Sequence, residues 1–424
     1  MKLFAVVGNP IYFSRSPEIF SAFFQHENID AKYFRLSADT AEEAINLFNE
    51  LGLSGMSVTA PFKTDIIPFL DDIDDLAKAI GSINTVVRKD NKLIGYNTDY
   101  YGIVNTLPEV KNKNILVLGA GGASKAVVYS LKKQGANIKI INRTAENAEQ
   151  LANNFDVDFA KIENLKHELE SADIIVNTLP SGIKIIEDNW IQKNHIFFDA
   201  IYHNSSYRDI AKEKDITFYS GKTWLVNQAK EAFKLFFGKE IDIDDTCFSE
   251  EVKPREKLIF IGFMGSGKST IGKQVADKMG VKFFSTDHII ETKEGQSINS
   301  IFEQHSEEYF RKTENEILNM LSSMAGSSII STGGGVVLSE ANRKLISENY
   351  KAVWLYANVD SIMHRTAPEN RPLLKDNFTK ERVQELMDMR FNFYAESADF
   401  VINTSDKTIS EIIDKLVKIE LKGI

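Results

Sequence analysis

A single cysteine in 424 residues, Cys247, leaves no partner for a disulfide within the chain and no cluster for a cysteine-held zinc ion. That usage fits a reducing compartment, so a cytoplasmic location is expected. Long apolar runs are missing too. None reaches the roughly 18 residues of a membrane span, and no membrane association is expected. The opening MKLFAVVGNP has one Lys and an apolar run cut short by Gly8, Asn9 and Pro10, so it reads as a buried first strand rather than a signal peptide. Positive charge is in deficit: 50 Lys and Arg stand against 60 Asp and Glu, a net charge of −10. A general grip on nucleic acid needs a basic face, so no nucleic-acid partner is expected. A small basic pocket is compatible with any net charge. There is no internal repeat and no low-complexity tract.

What remains is an ordinary globular mix, 43% apolar and 26% charged. At about 150 residues per domain, the length implies two or three domains. The sharpest boundary is GKEIDIDDTCFSEEVKPREK (238–257), which is acidic, contains Pro254 and lacks a helical apolar period. Before it, AKEAFKLFFG reads as an amphipathic helix ending at Gly238; after it, KLIFIG reads as a buried strand. The first part divides again. FAVVG, KYFRL and LSGMSV alternate with helix-like stretches up to about residue 100, and a second series runs through NILVLG, NIKIIN, DIIVN and HIFFDA. Alternating strands and helices predict an α/β fold with parallel sheet. A link of about 15 residues allows the two main parts to be independent bodies at millimolar local concentration, with an intermediate passing by free diffusion.

Gly262-Phe263-Met264-Gly265-Ser266-Gly267-Lys268-Ser269-Thr270 matches G-x-x-x-x-G-K-[ST] in full, between a strand and the helix IGKQVADKM. Its glycines let backbone N–H groups turn toward phosphate oxygens. Lys268 brings charge to the transferred phosphoryl group, and Ser269 is the expected Mg²⁺ ligand of an ATP site built from Gly265, Ser266, Gly267, Lys268, Ser269 and Thr270. Three arginines, Arg311, Arg371 and Arg390, accompany Asp287 and the run Gly333-Gly334-Gly335. Guanidinium forks suit a carboxylate, an Asp can orient a hydroxyl and take its proton, and glycines let backbone approach a ring. The substrate read from these residues is anionic and hydroxylated.

On GFMGSGKST, FFSTDHIIE, SEEYFRKTE, STGGGVV, RPLL and R-x-x-x-Y-x-x-x-A from Arg390, residues 257–424 resemble shikimate kinase. The resemblance implies a P-loop kinase domain in which Asp287, Arg311, Arg390 and Gly333–Gly335 hold shikimate. It places Arg371 on a lid over the phosphates, with Arg365 a weaker candidate for contact with adenine. Where that family usually has Asp-x-Asp, this chain has Ser285-Thr286-Asp287, which removes one charge from the magnesium hydration shell.

In the first part, NILVLGAGGASKAVV places Gly119, Gly121, Gly122 and Ala123 between strand and helix, close to G-x-G-x-x-G/A with Ser124 last. The next strand ends Asn142-Arg143-Thr144, where an NAD site would carry an acid; Arg and hydroxyl favour a 2′-phosphate, hence NADP(H). Hydride transfer to a ketone needs a proton donor, for which Lys63 in SVTAPFK and Asp99 in GYNTD are the candidates. With Ser14-Arg15-Ser16, GSINTV and the Gly221…Gln228 helix, these pieces resemble shikimate dehydrogenase over about 1–238. The resemblance implies a substrate lobe (1–101 and 222–240), a Rossmann-like NADP lobe (102–221) and a linker (241–256). It assigns the substrate carboxylate to Ser14 and Ser16, its hydroxyls to Thr59, Asn84, Tyr202 and Gln228, and catalysis to the Lys63–Asp99 pair. Ser57 replaces the usual Asn of N-V-T, Asn147 stands where a basic residue is usual, and Trp224 replaces a common Met.

Together the two resemblances imply consecutive steps: NADPH-dependent reduction of 3-dehydroshikimate to shikimate, then ATP- and Mg²⁺-dependent phosphorylation to shikimate 3-phosphate. The alternative is an active dehydrogenase, or a quinate/shikimate dehydrogenase, fused to a degenerate nucleotide-binding module.

Overall fold

Short runs rich in β-branched and aromatic residues, bounded by Gly, Asn or Asp, punctuate the chain, and most become strands. The computed structural model describes residues 1–107, 109–202, 205, 207–249, 255–366, 374 and 377–419. The first lobe contributes β1 (Lys2–Gly8), β2 (Ala31–Ser37), β3 (Gly55–Val58), β4 (Asp72–Ile73), β5 (Thr85–Lys89) and β6 (Lys92–Tyr96). A second lobe contributes β7 (Asn114–Leu118), β8 (Asn137–Ile141), β9 (Asp158–Ala160), β10 (Ile174–Asn177), β11 (Ile196–Asp199) and β12 (Thr217–Ser220). The C-terminal half contributes β13 (Lys257–Ile261), β14 (Lys282–Ser285), β15 (Ser328–Ser331), β16 (Lys351–Tyr356) and β17 (Phe400–Asn403).

The second lobe is a parallel sheet of order β12-β11-β10-β7-β8-β9. Apolar side chains cover it on both faces: Val117, Val127, Leu131 and Ile140 on one, Leu116, Ile141, Ile175 and Phe197 on the other. Burial on both faces is why these strands read as continuous apolar runs rather than alternating ones.

β5 departs from the all-parallel expectation, pairing antiparallel with both β3 and β6. With β6 it forms a hairpin across Asp90 and Asn91, both at positive φ (48° and 62°). Asp and Asn tolerate that left-handed conformation, and a two-residue turn of this hand matches the twist of the strands it joins.

The helix Gly221–Phe237 is capped by Ser220, whose hydroxyl accepts from the Lys222 N–H, and ends at Gly238 (φ +70°). Its Val226, Ala229 and Phe233 pack with Phe4, Phe20 and Phe23, so it returns to the first lobe. The following segment does not hang free. Ile241 and Phe248 join the same buried cluster, Asp245 accepts from the Thr223 hydroxyl at 2.6 Å, and Arg15 donates to the Ser249 carbonyl at 2.8 Å.

The two halves are not the independent bodies that a flexible link would allow. β17 lies parallel to β2, with Phe400 opposite Arg35, Val401 opposite Leu36 and Ile402 opposite Ser37. Among the described residues this makes one eleven-stranded sheet of order β14-β15-β13-β16-β17-β2-β1-β3-β5-β6-β4. The seam is apolar, with Leu36 and Phe48 in one cluster with Tyr356 and Val401. It is flanked by Lys407 beside Asp39 and Glu43, Lys415–Asp39 (2.7 Å), and the Tyr356 hydroxyl donating to Glu50 (3.0 Å). From β14 to β3 neighbouring strands are parallel, so both halves present their strand C-termini along one edge. Ligands of open α/β sheets bind at that edge.

Candidate functional sites

In the first lobe, a cavity of about 240 Å³ opens at the ends of β1 and β3. Ser14, Ser16, Thr59, Lys63, Asn84, Asp99, Tyr202 and Gln228 all line it, although they span more than 200 residues of sequence. Past the end of β3, Pro61 caps the one-turn helix Phe62–Asp65, which places Lys63 over the cavity. Asp99 is the first residue of the helix Asp99–Thr106. Lys63 Nζ donates to Asp99 Oδ2 at 2.5 Å, with only 15% and 8% of the two side chains exposed. A charged amine so held can protonate or polarise a developing alkoxide. Trp224 secures the pair from outside. Its indole N–H donates to the Asp99 carbonyl at 3.3 Å, and its ring lies where a Cβ on Gly102 would come within 2.4 Å.

The floor is a buried polar network. Asn84 Nδ2 donates to the Thr98 hydroxyl (2.9 Å) and to Gln228 Oε1 (3.3 Å), while the Thr98 N–H donates to Asn84 Oδ1 (2.7 Å). Such a network fixes rotamers because an unmade bond would be costly there. Thr98 was not among the sequence candidates; its place inside GYNTD, one residue before Asp99, was the available signal. Ser57 accepts from the Tyr33 hydroxyl at 2.7 Å, so the smaller side chain on β3 is tied to β2 across the intervening β1. The Ser14 hydroxyl lies 3.3 Å from that of Ser16, and the Tyr202 hydroxyl reaches across from the second lobe to donate to the Phe13 carbonyl at 2.7 Å.

Facing Lys63 is the turn from β7 into the helix Gly122–Lys133. A Cβ on Gly122 would sit 3.5 Å from the Lys63 side chain, so turn and pair share one cleft. Gly119 adopts φ +113° with Thr178 Oγ1 only 2.5 Å from an added Cβ, whereas at Gly121 a Cβ would meet nothing within 4 Å. The open side lets a pyrophosphate approach the backbone at the helix N-terminus. Ser124, fully buried, explains the missing third glycine: it accepts from the Gly121 N–H (3.1 Å) and bonds the Thr178 hydroxyl (2.7 Å), which pins the turn. Asn142, Arg143 and Thr144 follow β8, with Arg143 and Thr144 exposed as a 2′-phosphate contact requires. These residues fit NADP(H).

In the C-terminal half the P-loop leaves β13 and enters the helix Lys268–Met279. Gly262, Gly265 and Gly267 take φ of +142°, +79° and +92°, conformations that L side chains rarely adopt. Lys268 Nζ donates to the carbonyls of Gly262 (2.8 Å) and Phe263 (2.9 Å), and the Ser269 and Ser331 hydroxyls lie 3.0 Å apart. No cluster of three or more His, Cys, Asp or Glu suited to a metal exists among the described residues. Ser285 caps the helix Thr286–Glu294, its hydroxyl accepting from the His288 N–H at 3.4 Å.

Beside the P-loop, a second cavity of about 410 Å³ is lined by Asp287, Arg311, Gly333, Gly334, Gly335 and Arg390, again with all the described sequence candidates together. Arg390 donates to the Gly334 carbonyl at 3.2 Å, and the Tyr394 hydroxyl donates to the same oxygen. Arg311 donates to Glu314 at 2.9 Å and Glu307 at 3.1 Å. Gly333 is required by crowding: an added Cβ would lie 2.8 Å from Asp287 Oδ1 and 3.1 Å from Glu314 Oε1. Burial pushes the Glu314 carboxyl up to about 7, against the pull of Arg311, with Asp287 adding to the rise. Arg365, an exposed residue, donates to the carbonyl and hydroxyl of Thr404 at 2.7 and 3.3 Å. Arg371 lies outside the described residues.

Comparison with known proteins agrees with the two-part chemistry. Residues 6–86 match the family model of the shikimate dehydrogenase substrate binding domain, 103–220 that of shikimate / quinate 5-dehydrogenase, and 264–420 that of shikimate kinase. The NADP(+) shikimate dehydrogenase of Aquifex aeolicus is 39% identical over 251 residues, covering 57% of this chain and 93% of that protein. A crystal structure of the Aquifex aeolicus enzyme superposes with a TM-score of 0.55 at 37% identity, over 57% of this chain and 94% of the other. That of shikimate 5-dehydrogenase from Thermus thermophilus in complex with NADP(H) and shikimate gives 0.53 at 26% identity, over 58% and 97%. No helix among the described residues is long and apolar enough to cross a membrane.

Proposed function

Since the chain belongs to the shikimate dehydrogenase family and carries a shikimate kinase domain behind that part, we propose that it reduces 3-dehydroshikimate to shikimate and then phosphorylates the product. It is a bifunctional shikimate-pathway enzyme that uses NADP; the order and direction of the steps are our reading. What carries the reading is that two cavities on one sheet edge each gather groups for a small carboxylate with ring hydroxyls, one beside a dinucleotide turn and one beside a P-loop.

In the first cavity, Ser14 and Ser16 bind the carboxylate, while Thr59, Asn84, Tyr202 and Gln228 orient the ring. NADPH supplies the hydride to the ring carbonyl carbon. Lys63 delivers a proton to the oxygen, and Asp99 pairs with the amine and aims it. In the second cavity, Arg311 and Arg390 hold the carboxylate, and Asp287 accepts the proton of the attacking hydroxyl. ATP with Mg²⁺ supplies the phosphoryl group. Lys268 and the P-loop amides would hold the phosphates, and Ser269 would be a ligand of the metal. Strands β1 and β13 are four positions apart in the same sheet, so the two sites open along one edge of it.

The test is a single reaction with 3-dehydroshikimate, NADPH, ATP and Mg²⁺, following both cofactors. One ADP should appear for each NADPH consumed. NADPH loss without ADP would leave a dehydrogenase joined to a degenerate module, and faster oxidation of quinate than of shikimate would reassign the first site.

A further inference from the structure

The loop between β1 and the helix Ser16–His26 carries Ser14 and leads into Ser16, the helix's first residue, and one of its supports comes from the other enzyme. Arg35, on β2, is 7% exposed. Its Nε donates to the Ser14 carbonyl at 2.9 Å, and its Nη2 donates to both carboxylate oxygens of Glu18 at 2.7 and 2.9 Å. The guanidinium also lies 5.1 Å from the centre of the Phe400 ring. Phe400 is the first residue of β17, in register with Arg35, and is itself 6% exposed. Two residues before Ser14, the Tyr12 ring packs on the same phenylalanine with centroids 6.2 Å apart. Without β17, β2 would be a sheet edge and this side of Arg35 would face water.

We propose that Phe400, a residue of the kinase half, is a positioning residue for shikimate binding by the dehydrogenase half, acting through Arg35 and Tyr12 on the loop that holds Ser14 and Ser16. This rests on the reading of those serines as carboxylate ligands. The guanidinium has three tethers: a backbone oxygen of the loop, an acid on the helix that the loop enters, and an aromatic face from the neighbouring half. Removing the aromatic face hydrates the guanidinium and frees it to tilt, and the Ser14 carbonyl follows. The serine hydroxyls, 3.3 Å apart, then lose their fixed spacing. The nicotinamide side and the Lys63–Asp99 pair lie on other elements, so the hydride step is untouched once substrate is seated.

The test uses the full chain, following shikimate oxidation with NADP⁺ and, in the same preparation, the kinase reaction. Phe400→Leu should raise the dehydrogenase KM for shikimate about threefold to thirtyfold, the range of a buried cation–π contact. The dehydrogenase kcat, the KM for NADP⁺ and the kinase constants should stay within twofold. Phe400→Trp, which keeps an aromatic face, should restore KM. Arg35→Met should raise KM as well, and the double variant should be no worse than Arg35→Met alone. With an analogue whose carboxylate is replaced by hydroxymethyl, Phe400→Leu should leave KM unchanged. An unchanged shikimate KM, additive effects, or an equal loss with the analogue would overturn the proposal. Ser14→Ala and Ser16→Ala separate the two layers: if they leave KM unchanged, the carboxylate reading fails, and if they raise it while Phe400→Leu does not, only the bracing fails. Should Phe400→Leu abolish the kinase through misfolding, Arg35→Met decides alone, and a KM within twofold of the parent rejects the idea.

Discussion

Replacing Gly335 by alanine should disable shikimate binding by the kinase without unfolding it. The backbone there has φ −107°, which alanine adopts freely, so the effect comes from the new methyl group alone. That methyl would lie 2.2 Å from Arg311 Nη2, 2.7 Å from Cζ and 2.8 Å from Nη1. Ordinary contact needs about 3.5 Å, so the guanidinium must retreat by more than about 1 Å. It can, because it ends a flexible side chain, but it then gives up its bonds to Glu314 at 2.9 Å and Glu307 at 3.1 Å. Hydrogen bonds to charged groups contribute about 1.5–3 kcal/mol, and each 1.4 kcal/mol is about tenfold. The kinase KM for shikimate should therefore rise about 10- to 100-fold, with KM for ATP and both dehydrogenase constants within twofold. Steady-state assays of both activities in one preparation measure this. A shikimate KM within threefold of the parent would refute the argument. So would a Gly335→Ala, Arg311→Ala double variant clearly worse than Arg311→Ala, because displacement of Arg311 is the whole proposed effect.

Asp99→Asn keeps the shape beside Lys63 but removes the carboxylate charge that pairs with the amine; dehydrogenase kcat should fall by about 10²–10⁴ with the kinase unaffected, and a loss under tenfold would count against the pair. Ser285→Asp keeps a good helix cap and adds a charge near the nucleotide, so half-maximal kinase rate should need less Mg²⁺; an unchanged Mg²⁺ titration would contradict the reading of Ser285. Glu314 gives a pH signature. Its carboxyl is raised by burial from 4.5 to about 7, so the folded state binds that proton more tightly than the unfolded chain. The resulting stabilisation is complete at low pH and is lost as pH rises through about 7, amounting to roughly 3 kcal/mol at about 1.4 kcal/mol per unit. Denaturant titrations between pH 5 and 8 should show the parent losing more stability than Glu314→Gln, and parallel pH profiles would reject the shifted carboxyl.

Much of the chemistry was legible because it is written locally. The P-loop motif occupies nine consecutive residues, and its glycines at 262, 265 and 267 take the conformations that make glycine necessary there. SVTAPFK and GYNTD were readable as motifs, yet nothing in either says that Lys63 and Asp99 lie 2.5 Å apart. The β5–β6 hairpin escaped because its Asp-Asn turn is a weaker signal than Asn-Gly, although both residues take positive φ. Ser124 looked like a departure from the dinucleotide pattern, and its pairing with Thr178, 54 residues away, shows why it serves.

The sequence alone determined which reactive groups exist and which turn or helix start presents each, because those depend on neighbours a few residues apart. Tertiary structure decided which groups meet: Asn84 with Gln228, Trp224 with Asp99, Arg311 with Gly335. It alone decided that β17 would close on β2, because strands join through backbone N–H and C=O groups that every residue carries, so the choice of partner leaves little trace in side-chain pattern.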